Sequence, residues 1–115
     1  MHSAFEEILV TTMNDVPGHE ILAVHGEVFG LVVRARNIFS NFGASLRTLI
    51  GGEVGAYTQL LGDSRIQAVD RLRAAAIEKG GNAVIAMRFD CNEIASLMSE
   101  IAAYGTAVTI RKRAA

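Results

Sequence analysis

The chain has 115 residues, half of them apolar and a fifth charged, with eleven glycines, one proline, one cysteine and no tryptophan. Folding a chain of this size takes about 17,800 Å² of unfolded surface to about 6,100 Å², enough for one core and no second domain, so residues 1–115 read as one domain with its core over 6–112. Eleven basic and twelve acidic residues leave a net charge of −1, which gives no overall field for nucleic acid or an anionic membrane; the lone cysteine excludes an internal disulfide, and no apolar run approaches the roughly 18 residues of a membrane span.

The start, Met1-His2-Ser3-Ala4-Phe5-Glu6-Glu7, lacks the basic and apolar regions of a signal peptide, so the expected setting is a reducing compartment, the cytoplasm. Glu6 to Thr12 contains Ile8, Leu9 and Val10 and predicts a short strand. Asn14-Asp15-Val16-Pro17-Gly18 is a strong turn signal, because proline presets φ and glycine accepts the left-handed region. A hairpin-like reversal is expected there.

His19 to Val33 reads as one long strand. Alternate residues separate its faces. Leu22, Val24, Gly26, Val28, Gly30 and Val32 carry no polar side chain, and the opposite set is apolar except for His19, His25 and Glu27. A strand covered on one side only would show more polar positions. The second face is therefore expected to meet another copy of the chain.

Ile38, Phe39, Phe42, Leu46, Leu49 and Ile50 follow helical spacing, and Gly51-Gly52 ends that first helix. A second helix is predicted from Gly55 to Lys79, with Tyr57, Leu61, Ala68, Leu72, Ala75 and Ala76 on its apolar stripe. At 1.5 Å per residue it is about 37 Å long, as long as a compact subunit of this size is wide. Gly62 marks a candidate break in it. Gly80-Gly81-Asn82 closes it. Ala83 to Cys91 then predicts a strand with Ile85, Met87, Phe89 and Cys91 on one face and Val84, Ala86, Arg88 and Asp90 on the other. Met98 to Lys112 predicts the last strand, with Tyr104, Thr106, Val108 and Ile110 opposite Ile101, Ala103, Gly105 and Ala107. Arg111 to Ala115 reads as a frayed tail. The order is β-β-α-α-β-β, an α+β pattern.

The spaced elements Gly26-Glu27, Asn37-Ile38-Phe39, Arg47, Gly51-Gly52, Gly55-Ala56-Tyr57, Ser64-Arg65, Gly80-Gly81-Asn82 and Gly105-Thr106 together resemble the YbjQ-like family of heavy-metal-binding proteins, over roughly His19 to Ile110. Met87 to Ile94 resembles an actinobacterial-type subgroup. The resemblance implies a dodecin-like α+β subunit, two layers with helices on one face of an antiparallel sheet, closing into a homopentameric ring or a decamer of two stacked rings. It also implies Asn37, Phe39, Arg47, Gly51, Gly52, Gly55, Tyr57, Arg65 and Gly105 as structural positions. Glu53 and Asn82 depart from the family pattern.

Chemistry-bearing residues are sparse. Soft metals favour Cys and His, and Cys91, His25, Glu27, Glu93 and Asp90 are the candidate ligands of a transition-metal ion. His25 and Glu27, like Cys91 and Glu93, are expected to share a strand face about 7 Å apart. A symmetry axis between copies is the route by which they would converge. Gly51-Gly52-Glu53-Val54-Gly55 follows a helix and lacks the phosphate-loop lysine, so it reads as a turn. Asp90, Glu93 and Glu100 have no positioned nucleophile, and no serine lies in a nucleophile-elbow context. The expected function is non-catalytic: a homo-oligomer binding a metal or small ligand, or alternatively a scaffold without a ligand.

Overall fold

Two long strands form the spine of the computed structural model, which describes residues 8–35, 55–94 and 98–114. In chain order the elements are β1 (Leu9–Val10), β2 (His19–Ala35), α1 (Gly55–Glu78), β3 (Ala83–Ile94) and β4 (Met98–Lys112). Among the described residues the architecture is α+β, one helix laid on one face of a four-stranded sheet ordered β1-β3-β4-β2. The helix expected over 38–50 and the turn at 51–54 lie outside the described residues.

The sheet is mixed rather than wholly antiparallel. β4 pairs antiparallel with both β2 and β3, but β1 runs parallel to β3, with Leu9 opposite Ala83 and Val10 opposite Val84. The expected reversal at Asn14–Gly18 is consequently not a hairpin. After β1 the chain keeps bonding to β3, with the Ala86 N–H donating to the Met13 carbonyl at 2.7 Å and the Met87 N–H to the Thr11 carbonyl at 3.0 Å. It then turns through buried Val16 and begins β2 at the opposite edge of the sheet. The turn residues bend the chain as proline and glycine dictate; which strand β1 joins is decided by partners more than seventy residues away.

α1 is continuous through Gly62, where no atom crowds the backbone. Its buried line is Ser64, Ala68, Leu72 and Ala76, each fully buried at spacings of four, one face of a 3.6-residue helix. Leu61, expected on that line, is exposed. The helix rests directly on the sheet: a Cβ added at Gly30 of β2 would lie 2.0 Å from the Ala68 carbonyl oxygen and 2.5 Å from the Leu72 nitrogen. Val28, Val32, Val84, Ile101, Ala103 and Ala107 complete the core on that face. The helix ends as expected at Gly80, whose φ of +87° allows the Gly81 N–H to reach the Ala76 carbonyl and the Gly80 N–H the Ile77 carbonyl, both at 2.9 Å, a Schellman closure.

Bulges correct the expected strand faces. In β2 the register shifts between Ile21 and Ala23 and again between Val24 and Gly26, so simple alternation holds only from Gly26 onward. In β3 it shifts between Ile85 and Arg88, at Ala86, which has a φ of +55°. As a result Val84, before the bulge, and Met87 and Phe89, after it, all pack on the helix-side core. Gly105 of β4 lies beneath this bulge, where a Cβ would meet Val84 Cγ1 at 2.7 Å and the Ile85 carbonyl oxygen at 2.9 Å.

The C-terminal residues are held rather than frayed through Arg113. Arg111 pairs with Glu20 and the Arg113 N–H donates to the Gly18 carbonyl at 2.8 Å. The helix is shorter than the chain's long axis: its 24 residues make about 36 Å against 57 Å. The radius of gyration, 17.3 Å, exceeds the about 13 Å of a compact chain of this length. The exposed surface, 7496 Å², exceeds the scaling expectation by about 1,400 Å².

Candidate functional site

Among the described residues, the sheet face away from α1 is open. From Gly26 onward the β2 residues Val28, Gly30 and Val32 point to the helix and are buried, while Phe29, Leu31 and Val33 are exposed on the other face, Phe29 by 51%. Register puts Phe29 opposite Tyr104 and Leu31 opposite Ala102 on β4, with the Phe29 and Tyr104 rings 6.4 Å apart. The pairing of Asp90 with Ala102 and of Asn92 with Glu100 brings in β3. The three strands thus build a groove of about 490 Å³ floored by Phe29, Leu31, Ala102 and Tyr104 and edged by Glu27, Asp90 and Glu100. Asn92 donates to the Asp90 carboxylate at 3.3 Å.

The expected metal ligands divide. Glu27 and Asp90 edge the groove. His25 does not stay beside Glu27: as the bulged residue it turns to the C-terminal end of α1, where its Nε2 lies 2.7 Å from Thr109 Oγ1. The Thr109 hydroxyl donates in turn to the Gly80 carbonyl at 3.3 Å. Cys91 is an exposed free thiol opposite Ile101, and Glu93 is opposite Ser99. Among the described residues no three His, Cys, Asp or Glu side chains of one subunit are grouped to hold a metal ion.

Glu100 carried no role in the sequence reading, and its place in the groove follows from the β3–β4 register. Arg71 and Lys79 were also unassigned. Both reach the outer edge of β2, Lys79 Nζ donating to the Glu27 carbonyl at 2.8 Å and Arg71 to the Leu31 carbonyl.

A second, smaller groove of about 250 Å³ lies on the helix side, lined by Arg65, Ile66, Val69 and Arg73 of α1 and by Phe89 of β3. The Arg65 guanidinium stacks 5.1 Å from the Phe89 ring centre. Arg73 donates to the Ile8 carbonyl at 3.1 Å and pairs with Asp70 at 3.2 Å. Of the expected structural positions, Arg65 and Gly105 therefore make defined contacts. Gly55 and Tyr57 lie in the first turn of α1, and Asn37, Phe39, Arg47, Gly51 and Gly52 lie outside the described residues. Asn82, one of the departures, bridges to β4: its side-chain amide donates to the Ile110 carbonyl at 3.0 Å and accepts from the Ile110 N–H at 2.8 Å. No helix among the described residues is long and apolar enough to cross a membrane.

Comparison with known proteins joins these features to a family. UPF0145 protein YjfJ of Lactococcus lactis is 50% identical over 107 residues, covering 93% of this chain and 98% of that protein. A UPF0145 protein of the actinobacterium Mycobacteroides abscessus is 51% identical over 104 residues, 90% of this chain and 97% of its own. A crystal structure of a protein of unknown function of the DUF74 family, from Pediococcus pentosaceus, aligns over 90% of this chain and 98% of its own with a TM-score of 0.48 and 17% identity. The family model YbjQ_1, described as "Putative heavy-metal-binding", matches residues 8–111, and the chain belongs to that family.

Proposed function

We propose that the chain is the subunit of a homo-oligomer, a ring of five or a stacked pair of such rings, that binds a heavy-metal ion or a small ligand where copies meet. The observation that carries this reading is the open sheet face, where Phe29, Leu31, Val33 and Tyr104 are exposed in one patch across two paired strands. Contiguous apolar surface of this kind marks an interaction site. Burying a strand on both faces also accounts for its near-continuous apolar sequence.

The ligand half of the reading is supported by the family's description and by the donors themselves. Glu27 and Asp90 edge the groove, Cys91 exposes a thiol, and His25 engages Thr109 through one ring nitrogen, Nε2. Because one subunit does not group three of these among its described residues, an ion held by them takes donors from more than one copy. A shared boundary lets symmetry supply the convergence that four-coordinate binding demands. The reading includes a cytoplasmic location, where an exposed thiol stays reduced.

The test is metal counting by mass spectrometry on untagged protein offered zinc, copper and nickel in turn. Uptake in a fixed ratio to the chain, lowered in Cys91→Ser, His25→Ala or Asp90→Asn, supports the reading. Uptake unchanged in all three removes these residues as ligands. Assembly without any uptake leaves the scaffold reading in its place.

A further inference from the structure

Two apolar surfaces exposed among the described residues lie on opposite sides of the sheet, and they differ in charge. The open face carries Phe29, Leu31 and Tyr104 with three carboxylates, Glu27, Asp90 and Glu100, around them and one arginine, Arg88, opposite Tyr104. The flank of α1 carries Ile66, 62% exposed, and Val69 beside the Phe89 ring, with Arg65 and Arg73 on either side. We infer that copies of the chain join head to tail, the carboxylate-edged open face of one seating the arginine-edged α1 flank of the next. This rests on the self-assembly proposed above and specifies which surfaces meet.

Two observations select that pairing. Two open faces packed on each other would bring Glu27, Asp90 and Glu100 against a like set, and like charges across an interface cost several kcal/mol. The flank carries two arginines, Arg65 and Arg73, the second paired with Asp70, around an apolar centre of its own. Strand addition at the β2 edge is obstructed, since Lys79 and Arg71 already occupy the Glu27 and Leu31 carbonyls, the way side chains protect exposed sheet edges. Two unlike patches make a heterologous contact, which closes into a ring when the rotation permits. The ligand boundary proposed above is then one that every copy shares with two neighbours.

The experiment mixes two variants blocked on different surfaces. Leu31→Lys puts a cation in the open face and Ile66→Lys puts one on the flank, so the two altered surfaces repel each other while each variant keeps one native patch. Light scattering behind size exclusion is expected to return 12.3 kDa for each variant alone and a 1:1 species of twice that mass for the mixture, with circular dichroism unchanged. Should Leu31→Lys lose the wild-type spectrum, Phe29→Lys blocks the same face. A mixture that stays at 12.3 kDa, or either variant assembling to the wild-type mass, overturns the head-to-tail pairing while the wild-type assembly stands. A wild-type chain that is itself monomeric overturns the assembly reading, and the pairing with it.

Discussion

One chemical change, glycine to alanine, should have opposite signs at two positions that the helix joins. At Gly30 the new methyl would enter 2.0 Å from the Ala68 carbonyl oxygen and 2.5 Å from the Leu72 nitrogen. Both are backbone atoms of α1, so no rotamer change relieves them. Ordinary contact needs about 3.4 Å or more, so the helix must lift by more than about 1 Å, and a gap of even about 1 Å forfeits up to half of each dispersion contact along the seam. Overpacking of a core costs about 1–3 kcal/mol, and an unyielding backbone puts Gly30→Ala at the upper end. At about 4 °C or more per kcal/mol for a chain near this length, Tm falls by roughly 12 °C. Gly62 has no atom within 4 Å of an added Cβ, so Gly62→Ala gains only helix propensity, about 1 kcal/mol. Thermal melts by circular dichroism, run at one protein concentration because assembly shifts Tm, compare the two. A Gly30→Ala melt within experimental error of wild type would refute the seating of α1 on β2.

Three further outcomes follow from the same contacts. Leu72→Ala removes a fully buried side chain from the centre of the core and should lower stability by about 2–5 kcal/mol in urea titration. Ala86→Gly should be neutral or stabilising by up to about 1 kcal/mol, because Ala86 has a φ of +55°, a conformation that costs a residue with a Cβ about 1–2 kcal/mol; a loss above 1 kcal/mol contradicts the bulge. Gly105→Ala should be destabilising by about 1–3 kcal/mol, since the added Cβ has only 2.7 Å to Val84 Cγ1, and equal melts of variant and wild type would place β4 elsewhere.

Much of the fold was legible because local pattern and tertiary role coincide. Val28, Gly30 and Val32 alternate with Phe29, Leu31 and Val33 as a regular strand requires, and the structure separates them as expected. Gly80-Gly81 announced a helix end for a local reason, the left-handed residue that a Schellman closure needs. What escaped the sequence has non-local causes. A bulge inserts one residue without a compositional mark, so His25 was expected beside Glu27 and instead reaches Thr109. The parallel pairing of β1 with β3 leaves no trace at the Asn14–Gly18 turn. Leu61 was assigned to the helix stripe because it is apolar, whereas the buried line runs through Ser64, Ala68, Leu72 and Ala76. The groove was legible only in pieces, Glu27 and Asp90 as separate carboxylates, because joining them to Glu100 requires the strand order β3-β4-β2.

The account's central claim is that the exposed sheet face belongs between copies of the chain. The most direct measurement is the solution mass of the untagged wild-type protein at micromolar concentration, by light scattering behind size exclusion. The account predicts a single species at five or ten times 12.3 kDa. A stable species at 12.3 kDa across that concentration range would contradict it.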